Sequence, residues 1–254
     1  MERTGRNPAL AVPGDIGTAL ALLTRLPLPA LGGDRGAAAA WAWPLAGLAV
    51  GLIAAVAGGM AAWLGLPDGV TAGLVLAASV VVTGALHEDG LADVADGLWG
   101  GAEPARRLEI MKDSRIGSYG VIALVLSLGL RWAALAEIVG TGGLAASVLA
   151  AAMLSRAPMA VLMAELPPAR ADGLSRHVGR PARATVALGL LLALAAALVL
   201  LGAYGLAVCA VTAMLALGCA AIARAKLGGQ TGDVLGATQQ ICEIAVLALC
   251  AAAV

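Results

Sequence analysis

Residues 184–201 read ATVALGLLLALAAALVLL and contain no charged side chain. An apolar helix of about 20 residues crosses the roughly 30 Å hydrocarbon core of a bilayer, because each residue adds about 1.5 Å. This stretch therefore predicts a transmembrane helix. The whole chain agrees, since 61% of its 254 residues are hydrophobic, 13% are charged and the mean hydropathy is +0.93. We expect an all-α integral membrane protein.

Six further stretches have the same apolar character. They are residues 41–66, 70–86, 119–139, 143–165, 204–223 and 237–254. We predict a polytopic transmembrane helical bundle of about seven spans, which forms one domain over residues 1–254. Residues 9–26 are interrupted by Pro13, Gly14 and Asp15, so we expect an interfacial, re-entrant or short spanning helix there. The polar N-terminal stretch lacks the features of a cleavable signal peptide.

Basic residues alternate between the connections that join these stretches. The short connections at 67–69, 140–142 and 202–203 contain no Lys or Arg, whereas the longer connections contain most of them. The positive-inside rule places the basic connections in the cytoplasm. We therefore expect the polar segment 87–118 to face the cytoplasm.

The overall charge argues against a nucleic-acid partner, and the cysteines and histidines argue against a zinc site. Sixteen basic residues balance 16 acidic ones, so nothing favours nucleic acid as a partner. The four cysteines lie in apolar stretches without a CxxC pattern, and neither His87 nor His177 has a second ligand nearby in sequence. A zinc site is therefore not expected.

Acidic residues are concentrated in residues 87–120, which hold seven of the 16. Within this segment, residues 87–97 (HEDGLADVADG) place Asp89, Asp93 and Asp96 at i, i+4 and i+7, which is one face of a helix. Carboxylates so close repel each other unless a cation lies between them. Magnesium prefers oxygen ligands and takes one or two carboxylates together with phosphates. The small apolar residues between the aspartates favour this magnesium site over a solvated acidic face.

A second helix is predicted after Gly100-Gly101, beginning at Glu103-Pro104 and ending at Gly117. On that helix Lys112 would share a face with Arg115. One interpretation is an interfacial helix with ion pairs three and four residues apart. The other is that Lys112 and Arg115 bind a diphosphate whose oxygens also contact the metal.

Two further polar features stand inside apolar sequence. Residues 227–237 (LGGQTGDVLGA) contain Asp233, which joins the other carboxylates if the bundle brings it near; without the Lys-Ser/Thr of a P-loop, a simple glycine-rich turn is the alternative. Arg131, Glu137 and Arg156 lie within predicted spans, where charged groups usually face the bundle interior. They either bind an anion or pair with each other or with Glu243.

Four motifs together resemble the cobalamin synthase family, also called adenosylcobinamide-GDP ribazoletransferases. They are residues 24–29 (TRLPLP), 87–97 (HEDGLADVADG), 108–120 (LEIMKDSRIGSYG) and 228–236 (GGQTGDVLG). The resemblance implies a multi-pass enzyme of the bacterial or archaeal inner membrane. It would join adenosylcobinamide-GDP to alpha-ribazole or its 5'-phosphate, release GMP and use Mg²⁺.

The resemblance and the charge pattern together suggest roles for individual residues. The expected metal ligands are Asp89, Asp93, Asp96 and Asp233. The expected catalytic residues are Asp89, Asp93, Lys112 and Arg115, with one carboxylate acting as base for the 5'-hydroxyl. The expected substrate-binding residues are Arg106, Asp113, Ser114, Thr231 and Arg156. The basic stretch 173–183 is expected to contact the corrin or the nucleotide.

Two alternatives compete with this interpretation. A membrane phosphotransferase of the CDP-alcohol type also uses helical aspartates and a divalent metal, but its Asp-Gly-x-x-Ala-Arg signature is missing after Asp96-Gly97. A transporter would account for the charges within the spans, although most charges lie in connections on one face. A homo-oligomer is compatible with the sequence.

Overall fold

The computed structural model describes residues 9–27 and 35–254. Residues 28–29, which end the TRLPLP motif, and residues 1–8 lie outside these ranges. The α-helices of the described part are, in chain order, α1 (Gly14–Leu23), α2 (Trp43–Trp63), α3 (Asp68–Thr83), α4 (Leu86–Gly100), α5 (Pro104–Ile110), α6 (Ser118–Val139), α7 (Leu144–Leu154), α8 (Ala157–Glu165), α9 (Leu174–Val178), α10 (Arg183–Leu201), α11 (Tyr204–Leu227) and α12 (Gly232–Ala252). A 3₁₀ helix, Gly36–Ala42, leads into α2.

Six helical stretches of the described part are long and apolar enough to cross a membrane. They are Gly36–Trp63, Ser118–Val139, Leu144–Glu165, Arg183–Leu201, Tyr204–Leu227 and Gly232–Ala252. The pair α3 and α4 makes a seventh if it counts as one broken span. The predicted all-α polytopic bundle of about seven spans is thus confirmed. Helix α1 has 10 residues, about half the length needed to span the bilayer.

The sharp bend between α3 and α4 directs the acidic segment across the bundle. The two helix axes differ by 87°. Gly84 (φ 63°) and Ala85 (φ 56°) both adopt the left-handed conformation, which ends α3 and costs about 1–2 kcal/mol at a residue with a side chain. The predicted helix over residues 87–97 is confirmed, and it begins directly at the bend.

The centre of the bundle is formed by α7, α8 and α12. Helix α12 contacts α4, α6, α7, α8 and α11, and most of its residues are buried. The span 143–165 is interrupted at Ser155 and Arg156, after which Pro158 lies in the first turn of α8. Helices α7 and α8 together still count as one candidate span, Leu144–Glu165, and 83% of its most apolar window is buried inside the bundle.

The helix predicted to end at Gly117 is shorter, and that prediction is wrong. Helix α5 ends at Ile110, and residues 111–117 form turns and bends. Met111 is only 2% exposed and packs at Gly97 of α4, so burial of this apolar side chain turns the chain away from the helix axis. Lys112 and Arg115 therefore lie in a turn rather than on one helix face.

Candidate active site

Three polar connections meet at one end of the bundle. Gln230 N–H donates to Pro167 O (2.9 Å) and Ala169 N–H donates to Gln230 O (2.8 Å), which joins the connections after α8 and α11. The connection after α5 reaches the same end, because Lys112 Nζ lies 2.8 Å from both carboxylate oxygens of Asp172. The polar connections expected on one face do share that face.

A close crossing of α4 and the start of α12 brings Asp233 to the aspartates of α4. A Cβ at Gly90 would lie 2.9 Å from the backbone oxygen of Asp233, and one at Gly236 would lie 3.3 Å from the Cα of His87. Small residues are what permits two helix backbones to approach so closely. Asp233, more than a hundred residues along the chain, therefore joins the acidic segment.

Asp89, Asp93 and Asp233 form an acidic group beside one arginine. Asp93 is partly buried and is subject to repulsion from both other carboxylates. Arg170 Nη1 lies 3.0 Å from Asp233 Oδ2, and its positive charge offsets the repulsion at Asp93 only in part. Carboxylates that repel each other in a partly buried site favour the binding of a cation.

The third aspartate of the predicted stripe, Asp96, has a different environment. It is buried and accepts two backbone hydrogen bonds, from Gly117 N–H (2.7 Å) and Gly120 N–H (2.9 Å). These amides belong to the start of α6, where a carboxylate also interacts favourably with the helix dipole. Asp96 therefore anchors α6 to α4.

A cavity of about 140 Å³ opens beside the acidic group. Its polar wall includes Asp89, Asp233, Arg170 and Thr231. Thr231 caps α12, since its Oγ1 accepts a hydrogen bond from Val234 N–H (3.2 Å) and donates one to Asp233 (3.3 Å). Thr231, in the middle of the GGQTGDVLG motif, is thus both a helix cap and part of a cavity wall.

The basic residues near Gly117 are exposed. Arg115 donates to Asp113 through its guanidinium (2.8 Å) and its backbone N–H (3.0 Å), which lowers the pKa of Asp113 to about 2. Ser114 is exposed beside them, and Arg106 pairs with Glu109 at 2.7 Å. The expected ion pair three residues apart is thereby confirmed for Arg106.

Lys112 is the basic residue of this turn that reaches the cavity region. Its ammonium group lowers the pKa of Asp172, which lines the cavity. Lys112 therefore stands at the rim of the cavity, whereas Arg106 and Arg115 lie farther out in solvent.

Arg156 lies away from the cavity, in an inner polar network among the helices. Its Nη1 donates to Ala152 O (2.7 Å), and it borders a separate cavity of about 20 Å³. In the same network Arg131 donates to Glu88 (2.9 Å) and to Glu243 (3.2 Å), which confirms the expected pairing with Glu243. Glu88 is thus used within the bundle, and its neighbour Asp89 is the carboxylate that faces the cavity.

The sequence did not single out Arg170, Asp172 or Gln230 as site residues. In the sequence, Arg170 is one of several basic residues of a connection, Asp172 belongs to no motif, and Gln230 is part of GGQTGDVLG. Their positions depend on the bridge between Pro168 and Gln230, a contact between distant segments that has no local sequence signal.

The acidic group fits magnesium better than it fits a metal held by protein alone. Within residues 9–27 and 35–254, no three His, Cys, Asp or Glu side chains are arranged as a complete metal site. Magnesium does not require one, because it keeps several waters and commonly uses one or two carboxylates plus substrate phosphates. The mutual repulsion at Asp93 and the purely oxygen donors agree with such a site.

Comparison with known proteins extends over nearly the whole chain. A relative from Mesorhizobium japonicum is 48% identical over 92% of this chain and 91% of its own length. Relatives from Bradyrhizobium diazoefficiens and Azorhizobium caulinodans are 45% and 48% identical over 94% and 92% of this chain, and over 93% of their own lengths. All three are named adenosylcobinamide-GDP ribazoletransferase. No solved structure matches the chain.

The match to a family model covers the same region. The model of cobalamin-5-phosphate synthase aligns with residues 15–251, which include the acidic group and all but the last three residues of the predicted spans. Together with relatives that share close to half of its residues, this match shows that the chain belongs to the cobalamin-5-phosphate synthase family.

Proposed function

We propose that the protein transfers the adenosylcobinamide phosphate of adenosylcobinamide-GDP to alpha-ribazole or its 5'-phosphate, releases GMP and depends on Mg²⁺. The observation that carries the proposal is the acidic group with Arg170 at the mouth of a cavity. It lies in a chain whose relatives carry the name of this transferase. Charge neutralisation and positioning are the main requirements of such a phosphoryl transfer.

The reaction breaks one phosphoanhydride bond and forms one phosphate ester. A free ribose hydroxyl of the acceptor attacks the phosphorus attached to cobinamide, GMP leaves with the bridging oxygen, and the hydroxyl proton passes to a carboxylate. We assign that proton to Asp89, because Asp89 lines the cavity. Arg170, and Lys112 at the rim, stabilise the negative charge of the diphosphate.

The proposed magnesium ligands come from Asp89, Asp93 and Asp233, of which one or two would bind the ion together with water and the substrate phosphates. The ion would supply Lewis-acid polarisation of the phosphate oxygens and neutralise their charge. Asp96 is omitted because both of its oxygens accept backbone hydrogen bonds at the start of α6. Arg106, Asp113, Ser114 and Arg115 are exposed, so we assign them to contacts with the outer part of the diphosphate substrate.

We further propose that the site faces the cytoplasm from a bacterial inner membrane. The basic connections meet at the end of the bundle that holds the acidic group, as the positive-inside rule requires of a cytoplasmic face. Adenosylcobinamide-GDP and alpha-ribazole would then reach the site from the cytoplasm. The relatives compared above all come from bacteria.

The test is release of GMP by the purified protein reconstituted in lipid vesicles. Adenosylcobinamide-GDP plus alpha-ribazole should give GMP and a cobalamin product in the presence of Mg²⁺, with little release when EDTA is present. A CDP-activated alcohol in the same assay should give no CMP. Turnover of the CDP-alcohol without turnover of the cobinamide substrate would contradict the proposal, as would magnesium-independent release.

A further inference from the structure

The cavity beside the acidic group has a largely apolar inner wall. Trp43, Met159, Met163, Leu86 and Leu235 all line it, and Trp43 and the two methionines are almost completely buried. Its volume is about 140 Å³, and apolar cavities of about 150 Å³ are large enough to bind benzene. Methionine and tryptophan side chains also make favourable contacts with aromatic rings. The inner wall therefore suits a flat, apolar aromatic group.

Three buried polar atoms of residues that line the cavity lack a hydrogen-bond partner among the described residues: His87 Nε2, Arg170 Nε and Gln230 Oε1. Gln230 is 3% exposed, and no described residue donates a hydrogen bond to its Oε1. Its backbone is fixed by the bonds to Pro167 and Ala169. A buried carbonyl without a donor is unfavourable, so a ligand that supplies a hydroxyl group at this point gains affinity.

The outer end of the cavity carries the acidic residues Asp89 and Asp233. A ligand whose apolar aromatic group enters the cavity, and whose remainder extends past its outer end, would also need a hydroxyl donor and a group that reacts beside the carboxylates. An apolar base joined to a ribose with a free, reacting hydroxyl has these parts. Lipid acyl chains lack the hydroxyl donor, and the corrin macrocycle is too large for the volume.

We propose that this cavity is the binding subsite of the acceptor nucleoside, with the dimethylbenzimidazole base of alpha-ribazole between Trp43, Met159 and Met163 and a ribose hydroxyl donating to Gln230 Oε1. This inference rests on the proposed function. Guanine is disfavoured here, because its carbonyl and amino groups would lose their hydrogen bonds to water against the apolar wall. The GMP part of the other substrate therefore lies outside this cavity.

The test is equilibrium binding of free alpha-ribazole to the purified protein in detergent. The fluorescence of the base reports the binding. Met159→Ala and Met163→Ala should each weaken binding about tenfold, the effect of lost contacts in a hydrophobic pocket. Met153→Ala is the matched control, because Met153 is equally buried in α7 but belongs to a different core cluster. Its affinity should stay within about twofold of the wild type. Equal losses in all three variants would overturn the assignment.

A second measurement separates the contribution of the base to binding from that of the ribose. Gln230→Leu should weaken the binding of alpha-ribazole about tenfold. It should leave the affinity for free 5,6-dimethylbenzimidazole unchanged, because the free base has no ribose hydroxyl. GMP should not displace bound alpha-ribazole. Displacement by GMP, or equal effects of Gln230→Leu on nucleoside and base, would overturn the subsite. Wild-type GMP release is measured in parallel, so loss of the subsite is distinguished from failure of the proposed reaction.

Discussion

Asp93 is the carboxylate on which the acidic group depends most. It is repelled by Asp89 and Asp233, and Arg170 offsets this repulsion only partly. Removing the charge relieves the repulsion in the protein but also removes a proposed magnesium ligand. Stability and activity should therefore respond in opposite directions.

We predict that Asp93→Asn reduces GMP release by at least about a hundredfold, the usual effect of losing a group that stabilises transition-state charge, while thermal stability in detergent is unchanged or slightly higher. Asp68→Asn is the control, because Asp68 is an exposed carboxylate at the start of α3. It should retain wild-type turnover. Near-normal turnover by the Asp93 variant would remove this residue from the site.

Asp96 is predicted to behave differently from Asp93. An asparagine at position 96 has one acceptor oxygen where the aspartate uses two, so one of the amides of Gly117 and Gly120 loses its partner. Asp96→Asn should lower the free energy of unfolding by about 1–3 kcal/mol, measured by chemical denaturation in detergent. If stability were unchanged and the magnesium-dependent release of GMP were lost, Asp96 would instead be identified as a metal ligand.

Among the helices, the crossing of α4 and α12 is the contact that assembles the site. This crossing needs glycine at position 90, because a Cβ there would lie 2.9 Å from the backbone oxygen of Asp233. Helix α5 contributes less, because it ends before Lys112. The spacing of the two crossing helices therefore sets the distance between Asp233 and the aspartates of α4.

We predict that Gly90→Ala separates α4 from α12, at a cost of about 1–3 kcal/mol for overpacking, and lowers GMP release more than tenfold. Gly129→Ala is the matched helical control, because a Cβ at Gly129 meets no described atom within 4 Å. That variant should be as stable as the wild type or more stable. Full activity of Gly90→Ala would show that the crossing tolerates a wider spacing.

For the whole molecule, the orientation in the membrane is the main prediction. Ser114 is exposed at the end of the bundle that holds the acidic group, and Asp68 is exposed on a connection without Lys or Arg. In intact cells, a membrane-impermeant maleimide should label Asp68→Cys but label Ser114→Cys only after the cells are opened. The wild-type chain, with Cys242 and Cys250 buried, measures the background. Labelling of Ser114→Cys in intact cells would reverse the orientation.

The spans and the acidic helix were predictable because their signals are local. A bilayer requires long apolar helices whose backbone groups are satisfied internally, so residues 184–201 and the stretches like them predict the bundle without any knowledge of its packing. The spacing of Asp89 and Asp93 likewise places them on one helix face. Membership of Lys112 and Arg115 in a helix was predicted wrongly, because burial of Met111 outweighs local helix preference.

The features of the site that the sequence did not predict depend on contacts between distant segments. Asp233 joins Asp93, and Gln230 joins the segment of Arg170, because glycines allow α4 and α12 to cross closely and a backbone bridge links two connections. Asp96 looks like its neighbours in sequence, yet the start of α6 takes up both of its oxygens. Such pairings depend on where helices cross, which hydropathy and spacing do not encode. The sequence by itself therefore predicts a membrane bundle with an acidic helix. The packing of the helices determines which carboxylates face the cavity.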